Sequence, residues 1–265
     1  MADVMNCVIY LVRSTDEDVE MLNQSLSLLE ENVLKFTSNT DVLLFVEDDF
    51  RPYKEKVQTN LNLKYCLVEF DVPDYPEEIV NQIPEFFPHP THGNGPVAWG
   101  HPGFPMGYRH MCRFFSGEIY KQSIIRKYDH YLRLDTDSFI HTPLNYDLFD
   151  WAKNNHCYYG YICPAVQTDN PKVIDGLWEF VNNLFPNNIP EGMMFYTNFE
   201  LGKVDWFLTS PYMELYNKID EYGGIYTKRW GDAPIKFLGI NLFMPHENIQ
   251  PVTGFTYQHG AVYQV

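Results

Sequence analysis

The chain has 265 residues, 45% of them hydrophobic and 16% aromatic, which excludes a disordered chain and allows a sizeable buried core. Its 35 acids against 19 bases give a formal net charge of −16, which argues against a nucleic-acid backbone or an anionic membrane surface as partner. Metal ions, neutral sugars and small ligands remain. The five cysteines (7, 66, 112, 157 and 163) contain no CxxC pair, so the expectation is reduced, buried thiols. The opening MADVMNCVIYLVRSTDED lacks the basic start and apolar stretch of a signal peptide. No apolar run approaches the ~20 residues that span a membrane. A soluble, cytoplasmic chain is expected.

Residues 7–13, CVIYLVR, read as a short buried strand rich in β-branched residues. Thr15 and Asp18 are spaced like a capping box, and Val19, Leu22, Leu26, Leu29, Val33 and Phe36 form one apolar helical face behind them. VLLFV at 42–46 and KYCLVEF at 64–70 give two more strands. This alternation predicts parallel βαβ units. Residues 71–106 are rich in proline and glycine and read as a long irregular segment. His89 and His92 lie within it as HPTH, either a metal pair or solvated loop histidines.

Residues 107–127 predict a helix that feeds the strand DHYLRL at 129–134. Further on come a short helix near 146–153, a strand over 157–163, and helices near 171–185 and 205–221, the last stopped by Gly223-Gly224. GIYTKRW (224–230) reads as a strand, GDAP (231–234) as a turn, and the remainder as an irregular tail. No repeat and no linker composition appears. One α/β domain with a mostly parallel sheet and long loops is the simplest account.

Asp135 and Asp137 stand at the C-terminal end of the strand DHYLRL, where open α/β sheets bind ligands. On extended backbone, residues i and i+2 point the same way, so both carboxylates can face one site. Hard oxygen ligands suit Mg²⁺ or Mn²⁺, which complete their shells with substrate phosphates. Solvated strand-end acids remain the alternative. His259 reads as a surface histidine or as one closing over the acids from the tail. Glu200 in Asn198-Phe199-Glu200 and Asp232 in Gly231-Asp232-Ala233-Pro234 read as loop acids or as acids beside a sugar ring.

Several stretches together carry a resemblance: YRHMCRFFSG (108–117), YDHYLRLDTD (128–137), NYDLF (145–149), TNFELGKVDWFLTSPYMELYNKID (197–220) and GGIYTKRWGDAPIKFLGINLF (223–243). In this order they resemble the α-1,2-mannosyltransferases of glycosyltransferase family 15, over nearly the whole chain. The resemblance implies a GT-A-like fold with a nucleotide-sugar-binding half (1–137) and an acceptor-side half (138–265). It implies a retaining transfer of mannose from GDP-mannose, with Mn²⁺ or Mg²⁺, to a glycan or glycoconjugate hydroxyl, forming an alpha-1,2 linkage. Relatives in this family are usually anchored in the Golgi membrane.

Carried over by position, the resemblance implies donor contacts from Arg13, Tyr108, Arg113 and Asp135, and metal ligation by Asp137, Asp135 and His259. It implies Glu200 as nucleophile or stabilising carboxylate and Asp232 as a second active-site acid. The metal motif departs from the family's usual Glu-Pro-Asp, reading Asp-Thr-Asp. A loop acid that the family places near the metal falls in Ala165-Val166-Gln167, which carries none. The rival readings are the same fold with a UDP-sugar or GDP-fucose donor, a glycan-binding relative with a decayed site, and a metal phosphohydrolase.

Overall fold

The computed structural model describes residues 5–85, 105–162, 167–168 and 174–265. His89 and His92, most of the irregular segment, Cys163 and the side chain of Gln167 lie outside the described residues. The chain opens with β1 (Asn6–Leu11), α1 (Asp16–Asn32), β2 (Thr40–Val46), β3 (Leu63–Leu67) and a single turn, α2 (Glu77–Val80). Then come α3 (Met106–Arg113), α4 (Ile119–Lys121), β4 (His130–Leu134), β5 (Phe139–Ile140), α5 (Leu148–Asn154), β6 (Tyr159–Ile162), β7 (Gln167–Thr168) and α6 (Leu177–Leu184). The last third holds β8 (Met193–Met194), β9 (Phe199–Lys203), α7 (Val204–Thr209), α8 (Tyr212–Tyr222), α9 (Gly224–Thr227), α10 (Asp232–Phe243), β10 (Ile249–Val252), β11 (Thr256–His259) and β12 (Ala261–Gln264).

Seven strands form the main sheet in the order β10-β6-β9-β4-β1-β2-β3. Within it only β9 runs against its neighbours, β4 and β6; the other pairs are parallel. Strands from both halves of the chain therefore share one sheet. Both of its faces are covered. Cys7, Ile9, Leu43, Phe45 and Tyr131 enter one core layer, and Val8, Tyr10, Val42, Leu44 and Leu132 the other. This is why the first strands read as unbroken apolar runs. α1 starts as its sequence predicts: the Thr15 side chain accepts from the Asp18 amide at 3.1 Å, and three acids fill the first turn.

Four expectations are corrected. The helix over 107–127 is broken: α3 gives way to one π-turn over Phe114–Glu118 before α4. Phe114, Phe115, Ser116 and Gly117 are all buried, and no 3.6-residue stripe can bury four successive residues. GIYTKRW is not a strand. Gly223, at φ 74°, ends α8 in the left-handed region and starts α9, and Trp230 stacks on Tyr222 at 5.2 Å. GDAP opens α10, where Pro234 sits in the first turn and so leaves no backbone bond unmade. The tail is also ordered. β10 joins the main sheet, while β11 and β12 form an antiparallel sheet with β5.

Tyr131 of β4 lies opposite Gly202 of β9, and its ring crosses the place a Cβ on residue 202 would take. Gly202→Ala should push this fully buried ring aside and lower stability by about 1–3 kcal/mol, as overpacked cores do. Denaturant unfolding measures it; an unchanged midpoint would disprove the close approach.

Candidate active site

The strand ends of β4 and β9 and the start of α10 meet at a cleft of about 410 Å³, lined among others by Tyr108, Arg133, Asp135, Thr197, Asp232 and His259. Asp135 follows β4 directly. The backbone turns there, with the Ser138 amide donating to the Asp135 carbonyl at 3.0 Å. β5 leaves the turn and pairs with β11, setting Gln258 opposite Phe139 and Tyr257 opposite Ile140. The next residue of β11, His259, is thereby delivered to the acids. Tyr257 braces the turn: its hydroxyl lies 2.7 Å from the Ser138 hydroxyl and 2.9 Å from Asn198 Oδ1.

His259 Nε2 lies 3.2 Å from Asp137 Oδ1 and 3.9 Å from Asp135 Oδ2, while its Nδ1 is 2.9 Å from the Tyr196 hydroxyl. One donor atom from each of the three residues can be chosen so that all lie within 4.8 Å of one another. Two carboxylate oxygens and one imidazole nitrogen, partly open to solvent, suit a divalent cation that takes its other ligands from a phosphate-bearing substrate. A hydrogen bond from the second imidazole nitrogen is the usual way a ligating histidine is oriented.

The charges of the site are unequal. Burial alone would lower the His259 pKa, but Asp137 and Asp135 outweigh it and hold the imidazole above its ordinary value. Burial pushes Asp137 up, but His259 reverses the sign and its carboxyl ends below the usual range. For Asp135 burial wins over Arg133 and the shift is upward. A proton on His259 thus stands electrostatically where a cation would.

Arg133 is 2% exposed in its side chain and links this cluster to the opposite wall. Its Nη1 donates to Asp232 Oδ2 at 2.5 Å and its Nη2 to Asp135 Oδ1 at 3.2 Å, with the guanidinium 3.5 Å over the Phe115 ring. Phe115 is placed by the π-turn. Asp232 also accepts from Thr197 Oγ1 at 3.0 Å. Burial raises its carboxyl, yet Arg133 brings it below the ordinary value. Sequence reasoning missed Arg133, though an arginine in the apolar strand HYLRL already requires a buried acid as partner.

The remaining expected residues are scattered. Tyr108 lines the cleft and is covered by Arg229, whose Nη2 donates to the Tyr108 hydroxyl at 3.0 Å. Arg229 has φ 64°, a left-handed backbone that costs a non-glycine residue about 1 kcal/mol or more. Arg13 lies two residues beyond β1 with a 71% exposed side chain, paired to Asp18 at 2.6 Å and within electrostatic range of Asp137.

Two expectations do not meet the cleft. Arg113 turns away: Asp220 holds its guanidinium with two bonds of 2.8 and 2.9 Å, beside a second cavity of about 270 Å³ that includes Phe70, His110 and Tyr226. Glu200 is 0% exposed. It sits on the core side of β9, ion-paired with Lys236, and accepts from the hydroxyls of Tyr131 at 2.5 Å and Tyr159 at 3.2 Å. Enclosed in this way and absent from the cleft's lining, it presents no oxygen to the cleft.

A family model described as glycolipid 2-alpha-mannosyltransferase matches residues 3–191 and 188–265. The glycolipid 2-alpha-mannosyltransferase 1 of Candida albicans is 28% identical over 269 residues, covering 94% of this chain and 62% of its own. The O-glycoside alpha-1,2-mannosyltransferase omh1 of Schizosaccharomyces pombe is 32% identical over 171 residues, covering 57% of this chain and 43% of its own. The chain thus spans less than two thirds of the length of either relative. Among solved structures, the mannosyltransferase Ktr4p of Saccharomyces cerevisiae superposes with TM-score 0.77 at 22% identity, over 97% of this chain and 71% of that one. Core-mannan synthase A of Aspergillus fumigatus, in its Mn/GDP form, gives 0.78 at 22%, over 98% and 75%. The architecture is that of these GT-A-like glycosyltransferases. Among the described residues no helix is long and apolar enough to cross a membrane.

Proposed function

The chain belongs to the glycolipid 2-alpha-mannosyltransferase family, and on that premise we propose that it transfers mannose from GDP-mannose, with retention, to a glycan or glycoconjugate hydroxyl, forming an alpha-1,2 linkage. The observation that carries this reading is the triad of Asp135, Asp137 and His259 at a strand-end cleft that Asp135, His259 and Asp232 line. The Mn/GDP form of the Aspergillus relative supports a guanine nucleotide and manganese. The half from residue 1 to 137 serves the donor and the half from 138 to 265 the acceptor, with His259 the exception that crosses to the donor side.

In this reading Asp135, Asp137 and His259 hold Mn²⁺ (or Mg²⁺). The bound ion supplies Lewis-acid stabilisation of the departing diphosphate. Arg13, at the open end of β1, adds positive charge on the same side, and Tyr108 offers a ring face to the donor. Asp232 is held below the ordinary carboxyl range by Arg133, which makes it a poor proton acceptor but a firm hydrogen-bond acceptor. It orients the attacking hydroxyl. The bond from the anomeric carbon to the phosphate oxygen breaks, the bond to the acceptor oxygen forms, and the hydroxyl proton leaves with the diphosphate.

With Mn²⁺, GDP-mannose and a mannoside acceptor, the protein is expected to release GDP and form an alpha-1,2-linked product, and chelation is expected to abolish both. Product linkage read by NMR checks the reading. Preferential use of a UDP-sugar or of GDP-fucose would overturn the donor assignment.

A further inference from the structure

The resemblance casts Glu200 as the carboxylate facing the reacting carbon, and its surroundings contradict that role. A nucleophile must bring an oxygen to the anomeric carbon, and Glu200 is 0% exposed and does not line the cleft. Glu200 Oε1 accepts from both Tyr131 and Lys236, and Oε2 accepts from Tyr159. Lys236 is equally enclosed at 0% exposure, with Nζ also 3.0 Å from the Tyr120 hydroxyl and the rings of Tyr120, Tyr131 and Phe207 around it. Of this segment, Thr197 and Asn198 line the cleft.

The register shows what the pair is next to. Arg133 of β4 and Glu200 of β9 are opposite each other in the antiparallel ladder. Their strand neighbours Leu132, Leu134, Phe199 and Leu201 enter the other core layer, so both charged residues face α10. On α10, Asp232 and Lys236 are one turn apart and share a face. Asp232 meets Arg133 and Lys236 meets Glu200. Four buried charges therefore form a two-by-two array between sheet and helix, alternating in sign along both edges.

We propose that Glu200 and Lys236 form a positioning pair, which holds Arg133 between Asp232 and Asp135 and takes no covalent part in the reaction. This rests on the transferase reading for its catalytic consequence, but the array itself does not. Remove Glu200 alone and Lys236 draws Asp232 away, leaving Arg133 to bind Asp135 and compete with a cation there. Remove Lys236 alone and Glu200 draws Arg133 from Asp232. Remove both and Arg133 keeps its two partners.

The experiment compares Glu200→Gln, Lys236→Met and the double variant in the full chain, by Mn²⁺ titration and by turnover of GDP-mannose. Glu200→Gln is expected to weaken Mn²⁺ binding about tenfold, whereas Lys236→Met, which draws Arg133 off the acids, should not weaken it. Each single change should lower kcat by about a hundredfold, and the double variant should return to within about threefold in binding and tenfold in kcat, the non-additivity of contacting charges. A covalent role predicts the opposite: Mn²⁺ binding unchanged in all three, and kcat as low in the double variant as in Glu200→Gln. That result, or a double variant that does not fold, would overturn the proposal. If the native protein transfers no mannose, the transferase reading fails by itself and the Mn²⁺ titration still decides the pair.

Discussion

Asp137→Ala should lower mannose transfer about a thousandfold or more and weaken Mn²⁺ binding in parallel, because a metal that stabilises leaving-group charge supplies several kcal/mol. Of the two acids Asp137 lies closer to His259, at 3.2 Å, and its carboxyl is already held below its ordinary range. Asp135 divides its charge between the cluster and Arg133, so Asp135→Ala should disturb Asp232 as well as the metal. His259 adds a pH signature. Its imidazole is held above its ordinary pKa and must lose a proton to bind a cation, so Mn²⁺ affinity should fall as pH falls through that raised value. For the metal-free fold the sign is reversed: the His259–Asp137 pair stabilises at low pH and fades as pH rises through the same value. Calorimetric Mn²⁺ titration between pH 5 and 8 measures the first and thermal unfolding with chelator the second. A pH-independent affinity would remove His259 from the metal shell.

Asp232→Asn is the second large effect. The amide fills the same volume but no longer balances Arg133, and its oxygen accepts more weakly. Transfer to a mannoside should fall by about a hundredfold to ten-thousandfold, the usual span for a positioned acid-base or orienting group. At saturating Mn²⁺, which offsets the competition of a freed Arg133 at Asp135, hydrolysis of the donor by water should fall far less, because water needs no orienting partner of that kind. The ratio of transfer to hydrolysis is therefore the measurement. Equal loss of both would place Asp232 on the donor side of the cleft instead.

The parts of this site that the sequence discloses are the parts made by local rules. Asp135 and Asp137 stand out because two acids at i and i+2 follow an apolar strand, and strand ends bind ligands. α1 is visible from its cap and its apolar spacing. GIYTKRW misleads because its β-branched and aromatic residues favour a strand, while Gly223 and the stacking of Trp230 on Tyr222 impose a helical turn. The broken helix over 114–118 misleads for a similar reason, since burial on all sides leaves no stripe to read. His259 could be singled out only by resemblance, because its approach depends on a β5–β11 pairing that no local pattern announces. Glu200 shows the converse. A residue can be recognised by position in a family motif and still have its chemistry taken up by Lys236, Tyr131 and Tyr159.

The β5–β11 pairing has a consequence for how the protein is made. A chain leaving the ribosome exposes both acids of the cluster well before β11 is synthesised. Until that strand docks, the nascent protein has two carboxylates and no imidazole, and its grip on a divalent ion is weak. Under the proposed metal assignment, manganese would not nucleate this fold or guide its early sheet. Under the same assignment it rewards the assembled sheet by mass action, and it ties β11 to the acids that follow β4.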